Sequence, residues 1–500
     1  MRRAFPLAET LAALLSALYL SLFFRRGLTP LDDGWFLDLG ARVARGEVPY
    51  KDFYVLAPPG SFYAFSALNL CFGPTLLPSR ILWLIAGVVM AAVLARIGRT
   101  TLPPFLSGIA GASAVIGTFP SILTVPYYWM SNVFGVCALA ILLASADGSP
   151  ARRLRLAGVL LIIALFFKHN TAAYVGAGLT LATLVLPTPD SASAPRRFWH
   201  LFSGALVAIA GLLLCLYLVG IPIVALCKSL VAMFFLPHGD IDIPMPLPWA
   251  CFPHALSGVE VWSSLRRSTF WLPFIVPVLV IAKHGRWTRS ASGRIPTLCA
   301  IGLYGLCMAL HATPRAGWSY LSRALPVPIL LLFLLAWDTS KGRSRWIGRI
   351  WAIVISAVLG MLVSEQLRYH LDQVVYLDGP CEGILSTEAV RDRLARIRTV
   401  VAPLLTSQGE LLVLPDDNIL YPYLGQRSRA RFQLLLDGDL FVSTITEDLI
   451  RTRPKVVILA PADGQFRRYP LYAHPLLEII WRTYRLKAEV DGTQIWVRKE

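Results

Sequence analysis

Long apolar runs alternate with short polar segments over about the first three quarters of the chain. Most of these runs are about 15–22 residues long, which is the length that a helix needs to cross a bilayer. We predict about eleven membrane spans, within a range of about 10–13. Their predicted positions are 5–24, 78–97, 105–123, 130–146, 154–168, 170–187, 199–219, 270–284, 297–311, 322–338 and 346–364. A content of 56% hydrophobic and 15% charged residues excludes a soluble globular protein and agrees with this polytopic α-helical class.

The pattern changes after residue 364, where short apolar runs replace the long ones. The predicted elements are a helix at 386–405, strands at 410–418 and 454–463, a helix at 474–484 and a hairpin at 484–499 through Asp491-Gly492. Ser386 or Thr387 is expected to cap the first helix. These elements form a small α/β domain over 365–500, which follows a membrane domain over 1–364. The small domain has no GxGxxG or P-loop motif, so nucleotide binding is not indicated.

Lysine and arginine residues cluster in alternate loops between the predicted spans. The clusters are Arg2/Arg3, Arg96/Arg99, Arg152/Arg153/Arg155, Arg196/Arg197, Lys283/Arg286/Arg289/Arg294 and Lys341/Arg343/Arg345/Arg349. Because cytoplasmic loops are enriched in these residues, we place the clusters and the N-terminus in the cytoplasm. The outer loop 25–77 and the C-terminal domain then lie outside the cell membrane. Residues 60–76 are apolar, but a crossing there would invert every later loop. We therefore expect them to lie at the outer surface or to dip back.

The net charge of +17 comes from the membrane domain. Residues 1–364 hold 29 Lys and Arg against 12 Asp and Glu, whereas residues 365–500 hold 18 of each. Cytoplasmic loops that face anionic lipid explain this excess, so we expect membrane lipid and no nucleic acid as a partner. Eight cysteines without a CxxC pair predict neither a disulfide framework nor a metal site. No cofactor is expected, and a requirement for a divalent cation is left open.

Five of the twelve acidic residues of the membrane domain lie close together after the first span. They are Asp32, Asp33, Asp38, Glu47 and Asp52. Carboxylates beside a membrane surface commonly serve a proton, a cation or a polar substrate. The alternative is a solvated loop whose aspartates cap an amphipathic helix, here predicted to begin near Trp35. Gly34 is expected to permit a backbone turn that aims both adjacent acids at one point.

Basic side chains occur in the other loops on the predicted outer side. Lys168 lies in FFKHNTAAY, and HATPRAGWSYLSR contains His311, Arg315 and Arg323. A Lys or Arg at the edge of a span either extends its charge to the membrane surface or binds a phosphate. Both interpretations remain open for Lys168 and for the two arginines.

A set of short motifs after the first span resembles the GT-C membrane glycosyltransferases. The residues that carry the resemblance are Asp32-Asp33-Gly34, Ala41-Arg42, Gly46, Pro49-Tyr50, Asp52 and Pro58-Pro59. The similarity is to the group that contains protein O-mannosyltransferases, the lipid A aminoarabinose transferase and Rgt-like bacterial enzymes. The resemblance implies an enzyme that moves a hexosyl or pentosyl group, with inversion, from a polyprenyl-phosphate-linked donor to an acceptor on the extracytoplasmic face. Whether the acceptor is a protein, a lipid or a glycan is not indicated.

The chemistry of that reaction assigns roles to the candidate residues. A carboxylate can take the proton of the attacking hydroxyl; we favour Asp32 for this role, with Asp33 as the second catalytic candidate, which orients the acceptor or holds the loop. Asp52 is a supporting candidate because prolines fix the chain on both sides of it. Lys168 and Arg315 are candidates to bind the donor phosphate by charge-assisted hydrogen bonds. The candidate contacts to the sugar or acceptor, which otherwise belong to an aromatic belt, are Tyr54, Tyr127 and Tyr128.

Two other functions remain open. A transporter or flippase of a lipid-linked or polar substrate would need charged or broken helices near the bilayer midplane, with repeat symmetry. The sequence shows no acids in the middle of a span and no repeat, which tells against this function. A noncatalytic envelope-assembly protein would instead use the C-terminal domain as a binding module. An Asp32→Ala change that leaves function intact would favour that interpretation.

Overall fold

The fold is mostly helical, with one small mixed sheet near the C-terminus. The computed structural model describes residues 6–123, 126–145, 150–186, 194–235, 245–247, 258–284, 294–313, 317–340, 345–433, 439–461, 470 and 473–500. The chain divides into two compact units. Unit 1 comprises Met1–Phe24, Leu82–Leu212 and Ile243–Tyr369, and unit 2 comprises Arg25–Ile81, Leu213–Asp242 and His370–Glu500. Unit 2 therefore includes the predicted outer loop and nearly all of the predicted C-terminal domain.

Helices, most of them apolar, follow one another through the first 370 residues. In chain order these helices are α1 (Leu7–Leu20), α2 (Pro30–Ala44), α3 (Gly60–Phe72), α4 (Leu77–Gly98), α5 (Pro104–Ile116), α6 (Pro126–Ala144), α7 (Pro150–Phe167), α8 (His169–Val185), α9 (Ala194–Leu218), α10 (Ile223–Phe235), α11 (Gly258–Ser268), α12 (Leu272–His284), α13 (Arg294–Leu310), α14 (Trp318–Ala324), α15 (Pro326–Ser340) and α16 (Arg345–His370). Among the described residues, five helices are long and apolar enough to cross a membrane: Leu77–Gly98, Pro126–Ala144, Ala194–Leu218, Glu260–His284 and Trp346–His370. Shorter apolar helices cover Leu7–Leu20, Ile223–Ala232, Ile295–Leu310 and Pro326–Ser340. The helical membrane class is confirmed, whereas the number of crossings remains a prediction.

Helices α7 and α9 in unit 1 approach closely because each contributes a glycine to their crossing. A Cβ built on Gly158 would lie 2.2 Å from the carbonyl oxygen of Leu201, and one built on Gly204 would lie 2.1 Å from that of Arg155. Small residues let helices meet in lipid, where the hydrophobic effect does not drive helices together. The two backbones are therefore in direct contact.

Helix α2 in unit 2 carries the predicted acidic residues. It begins at Pro30, with Thr29 as its N-cap, rather than near Trp35. Proline is favoured at the first helical position, and two acids in the first turn stabilise the positive end of the helix dipole. The predicted turn at Gly34 is therefore wrong, because this residue lies inside the helix. A Cβ on Gly34 would lie 2.0 Å from the backbone nitrogen of Ile419, so the glycine serves close packing instead.

Most of the apolar segment 60–76 forms helix α3. It has 13 residues, and a helix of that length extends for about 20 Å, which is less than the ~30 Å of a hydrocarbon core. Phe62 and Phe65 are buried in unit 2 and stack near Phe36 of α2. The last turn, with Leu70 and Phe72, is exposed. Whether the segment crosses the membrane stays a prediction, because α5 has the same length and lies in a predicted span.

A short antiparallel pair follows α16 and is tied to distant segments of unit 2. Its strands are β1 (Val375–Tyr376) and β2 (Leu385–Ser386). The backbone N–H of Gly27 donates to the Leu385 carbonyl (2.9 Å), and the Leu385 N–H donates to the Arg25 carbonyl (2.6 Å). The N–H of Leu76 donates to the Pro380 carbonyl (3.0 Å). The segment just after the first helix and the segment just before α4 are thus both bonded to this pair.

The C-terminal region has the predicted α/β character and also contains two helices that were not predicted, Leu420–Tyr423 and Asp439–Thr452. Its further elements are α17 (Glu388–Val401), β3 (Leu411–Leu414), α18 (Leu420–Tyr423), α19 (Asp439–Thr452), β4 (Val456–Leu459), α20 (His474–Thr483), β5 (Tyr484–Val490) and β6 (Thr493–Arg498). The sheet order is β3-β4-β6-β5, with β3 parallel to β4 and the other pairs antiparallel. The N-cap of α17 is Thr387, whose hydroxyl accepts the Val390 N–H at 3.3 Å. The predicted hairpin turns at Asp491 and Gly492, both of which have positive φ (48° and 75°).

Candidate functional site

Asp33 is held by a buried arginine. Its Oδ2 accepts a hydrogen bond from Arg80 Nη2 and another from the Thr29 backbone N–H, each at 2.8 Å. Arg80 also donates to the Gly27 carbonyl at 2.8 Å, and its side chain is only 1% exposed. Asp33, the fourth residue of α2, thereby satisfies the backbone N–H of the N-cap residue Thr29, which would otherwise lack a partner at the helix start. Burial raises the pKa of the Asp33 carboxyl, and the charge of Arg80 opposes that effect.

Asp32 is in a different environment from its neighbour. It is half-buried in the first turn of α2, whereas Asp33 is buried. Adjacent helical residues are about 100° apart around the axis, so the two carboxylates cannot aim at the same point. The structure therefore separates the two catalytic candidates: Asp33 closes the start of α2 against Arg80, and Asp32 points elsewhere.

Asp38 is a buried acid that was not among the candidates chosen from the sequence. It accepts a hydrogen bond from Gln433 Nε2. Arg42, one turn further along α2, donates to Glu47 Oε2 (2.7 Å) and to the Ala430 carbonyl (2.9 Å). Burial raises the pKa of Asp38 to about 6, although the charge of Arg42 lowers it. The spacing of Asp38 and Arg42 was the available signal, because residues four apart are neighbours on a helix.

Asp52 and Tyr54 lie in the segment between α2 and α3. The Asp52 carboxylate is exposed and accepts the Val48 backbone N–H at 2.7 Å, which closes a local turn. Tyr54 is half-buried, and its N–H donates to the Arg431 carbonyl at 2.7 Å. Its ring packs on Phe432 with 5.3 Å between centroids. These contacts hold the segment in place within unit 2.

Three predicted residues of unit 1 meet at the start of α8. Lys168 is the N-cap residue of that helix, and its side chain is 1% exposed. Its Nζ lies 4.2 Å from the ring centroid of Tyr127 and 4.9 Å from that of Tyr128. A cation over aromatic faces gains about 0.5–2 kcal/mol, more where water is excluded. The positive end of the α8 dipole adds further positive potential beside the ammonium group.

Arg323 on α14 belongs to the same cluster. Its Cζ lies 3.0 Å from the Tyr128 centroid and 4.0 Å from that of Tyr320. The side chain is 3% exposed, and within the described residues neither Nε nor Nη1 has a hydrogen-bond partner. Arg315, the arginine that we selected from this loop, lies outside the described residues. Arg323, the other arginine of the same sequence motif, is the one that the structure describes.

His311 completes this cluster, which we call the cation cluster (Lys168, Arg323, His311, Tyr127 and Tyr128). The histidine lies in the turn after α13, with Nε2 at 3.2 Å from Thr171 Oγ1. The ring is buried and the positive charges of Arg323 and Lys168 act on it, so a positive charge on the ring itself is disfavoured. Two cations, a neutral imidazole and aromatic faces make a site suited to an anion that carries polar groups.

The charges of the cation cluster also bear on metal binding. Within the described ranges, no group of three or more His, Cys, Asp or Glu side chains is placed to hold a metal ion. The donor set of the cation cluster, with a lysine and an arginine at its centre, fits an anion and repels a metal ion.

The structure is similar to solved glycosyltransferases over its full length. ArnT from Cupriavidus metallidurans, bound to undecaprenyl phosphate, matches with a TM-score of 0.57 and 14% identity over 98% of this chain and 97% of that chain. The Archaeoglobus fulgidus oligosaccharyltransferase, tethered to an acceptor peptide that contains the NVT sequon, matches with a TM-score of 0.55 and 13% identity over 100% of this chain and 74% of that chain. The apo form of the latter gives a TM-score of 0.54 and 12% identity, over 100% and 75%. No family model and no curated protein matches the sequence. The chain therefore has the fold of the GT-C membrane glycosyltransferases.

Proposed function

We propose that this protein is an integral-membrane glycosyltransferase that moves a sugar from a polyprenyl-phosphate-linked donor to an acceptor outside the cytoplasm. The observation that carries the proposal is the buried cation cluster in a chain with the GT-C fold. A similar structure, that of ArnT, contains undecaprenyl phosphate. The sugar is a hexose or a pentose, transfer inverts the anomeric carbon, and the acceptor is a protein, a lipid or a glycan.

The electrostatics of Arg323 support an anionic ligand. A charge taken out of water costs several kcal/mol unless a partner compensates it. Two aromatic faces recover about 0.5–2 kcal/mol each. Lys168, close to the same Tyr128 ring, adds a second positive charge. A phosphate that accepts hydrogen bonds from both cations would offset the remaining cost and would be stabilised as the leaving group.

The acids of α2 support the other half of the reaction. Asp32 accepts the proton of the acceptor hydroxyl as the hydroxyl attacks the anomeric carbon. Asp33 and Arg80 hold the first turn of α2, so Asp33 acts as a positioning residue rather than as the base. Asp52, through its bond to Val48, positions the segment that follows α2. Tyr54 and Tyr127, both half-buried, are proposed as contacts to the acceptor and the sugar, whereas Tyr128 mainly holds the two cations.

The proposed topology places the reaction on the extracytoplasmic side. The N-terminus is cytoplasmic, about eleven spans cross a bacterial inner membrane, and residues 365–500 form an outer domain that follows the membrane domain over 1–364. Nucleotide sugars are scarce on that side of a membrane, which favours a lipid-linked donor.

The test uses the full chain in lipid nanodiscs with a panel of undecaprenyl-phosphate-linked hexoses and pentoses. We expect transfer from at least one lipid-linked sugar and none from nucleotide sugars in the absence of lipid. Undecaprenyl phosphate should bind at least about tenfold more weakly to Arg323→Gln, because one charge-assisted contact is lost. Arg266→Gln, which removes a partly exposed pair with Glu365 (3.1 Å), is the matched control and should bind normally. Transfer from a nucleotide sugar alone, or equal binding by the Arg323 variant, would overturn the proposal.

A further inference from the structure

The imidazole of His311 is a buried polar group without a role in the proposed reaction. Its Nε2 faces Thr171 Oγ1 at 3.2 Å, and its ring centroid lies 5.3 Å from that of Tyr174 and 6.1 Å from that of Tyr128. Its Nδ1 is buried and has no hydrogen-bond partner within the described residues of the chain. A buried polar atom without a partner costs about 1–3 kcal/mol, and such atoms in native proteins commonly serve a water or a ligand.

The charge around the ring decides which ligand group it suits. Arg323 and Lys168 both act on His311 electrostatically, so an imidazolium would face two like charges in a dry environment. The ring is neutral, and one nitrogen is a donor while the other is an acceptor. Which of these Nδ1 is depends on the direction of the bond to Thr171. A hydroxyl both donates and accepts, so it fits Nδ1 in either tautomer, whereas a phosphate fits only a donor.

We propose that Nδ1 of His311 binds the hydroxyl on C2 of the donor sugar and thereby selects donors that carry that hydroxyl. This inference rests on the proposed function, because it assumes that the cation cluster binds the phosphate of a glycosyl phosphate. In such a compound the phosphate is attached to C1, and the C2 hydroxyl is on the adjacent carbon. A ligand phosphate between Arg323 and Lys168 therefore brings a C2 hydroxyl close to the third polar member of the same cluster.

The dry surroundings of the ring make this contact selective. A site that is built to hydrogen-bond a hydroxyl rejects the analogue that lacks it, because the buried polar atom of the protein then has no partner. In glycosyl transfer, hydrogen bonds to the 2-hydroxyl also strengthen as the anomeric carbon becomes positive. His311 is thus a specificity residue for the sugar, and Arg323 is a residue for the phosphate.

The experiment compares four probes on the full chain in nanodiscs. They are decaprenyl phosphate without a sugar and the same lipid carrying mannose, glucose or 2-deoxyglucose. Mannose and glucose differ only in the orientation of the C2 hydroxyl, and 2-deoxyglucose lacks it. In the wild type, the better of the two hydroxylated lipids should bind about tenfold more tightly than the 2-deoxy lipid. Equal binding of all three glycosylated lipids would overturn the inference.

Variants separate this contact from a structural role. His311→Phe keeps the ring and removes both nitrogens, and His311→Asn keeps one donor and one acceptor. We expect the ratio of hydroxylated to 2-deoxy binding to fall to about one in His311→Phe and to recover partially in His311→Asn, while decaprenyl phosphate itself binds normally. His284→Gln is the control, since that ring pairs with Asp338 (3.4 Å). An unchanged ratio in His311→Phe would refute the role of His311. Binding of decaprenyl phosphate tests the proposed function, and it should be lost in Arg323→Gln but not in His311→Phe. The ratio of hydroxylated to 2-deoxy binding tests only the His311 contact, so the two proposals can fail separately.

Discussion

Arg80 and Asp33 form a buried ion pair 2.8 Å long between the start of α4 and the first turn of α2. Forty-seven residues separate them in sequence, and both side chains are almost fully enclosed. Because the same arginine also binds the Gly27 carbonyl, it joins the chain before α2, the helix itself and the beginning of α4. The two adjacent acids of the sequence motif therefore have different tasks, which substitution can separate.

The change Asp33→Asn should affect stability more than chemistry. It leaves the charge of Arg80 buried without its partner, and breaking a buried pair in this way costs about 3–5 kcal/mol. The midpoint of thermal unfolding in detergent should fall clearly, and turnover per folded molecule should stay within about tenfold of the wild type. The double change Asp33→Leu with Arg80→Leu should be less destabilising than Asp33→Leu alone. A midpoint that does not move would show that the pair contributes nothing to the fold.

The change Asp32→Asn should have the opposite profile. Asparagine is about as good as aspartate near a helix start but cannot accept the acceptor proton, so folding should be normal. Turnover should fall at least about 100-fold, in kcat more than in the binding of donor. The measurement is transfer from the lipid-linked donor at saturating acceptor, with Asp372→Asn as an exposed control. Near-full turnover would remove Asp32 from the mechanism and favour a noncatalytic or transport function.

Gly34→Ala tests the packing of α2 on the loop before α18. A Cβ there would lie 2.0 Å from the Ile419 nitrogen, a distance that only a backbone shift relieves. We expect a destabilisation of about 3 kcal/mol or more, of the size of other overpacking changes. Gly360→Ala on α16 has nothing within 4 Å of its Cβ and is the matched control, which should be neutral or slightly stabilising. Equal unfolding midpoints for the two variants would contradict the observed contact.

Asp38 should give the fold a measurable pH dependence. Its pKa in the folded state is about 6, above the value of about 4 for an unfolded chain. A group with a raised carboxyl pKa binds its proton more tightly when folded, so its contribution favours folding at low pH and is lost as the pH rises from about 4 to about 6. Asparagine has no proton to lose, so Asp38→Asn should not show this decrease in the free energy of unfolding, which amounts to up to about 3 kcal/mol in the wild type. The unfolding midpoint of the variant at pH 7 should therefore be higher than that of the wild type. Parallel pH profiles for the two proteins would show that Asp38 does not titrate in this range.

The topology can be checked by labelling single cysteines in a cysteine-free background. Lys51→Cys and Lys487→Cys, both at exposed positions, should react with an impermeant reagent from outside, and Thr100→Cys should react only after the membrane is opened. Cytoplasmic labelling at residue 51 or 487 would reverse the orientation and with it the choice of a lipid-linked donor.

Local patterns in the sequence predicted most of the long apolar helices and the strands, but not α10 or α19. Apolar runs marked the helices, Thr387 capped α17, and the dipeptide Asp491-Gly492 marked the hairpin, because each of these signals depends on residues that are close in sequence. The predicted start of α2 was wrong because the amphipathic pattern begins near Trp35. Thr29 and Pro30, where the helix actually starts, lie before that pattern. Contacts between residues that are far apart in sequence could not be predicted, because no local periodicity links the partners. Examples are Asp33 with Arg80, Asp38 with Gln433 and Arg323 with Tyr128. The sequence therefore identified the acidic segment and the basic loops as candidate regions. Only the structure showed which of their side chains are in contact.

The hydrogen bonds around Leu385 and Pro380 imply that the C-terminal region is not a detachable appendage. Ending the chain after α16 would remove the acceptors for the Gly27 and Leu76 amides and the donor for the Arg25 carbonyl, on both sides of the segment that carries the acids. Ile419 and Gln433, which contact α2 near Pro30 and at Asp38, would be lost with them. A shortened protein would thus fail through disorder of its acidic helix, even though that helix lies hundreds of residues upstream. Residues 370–500 and the segment Arg25–Ile81 are therefore one folding unit.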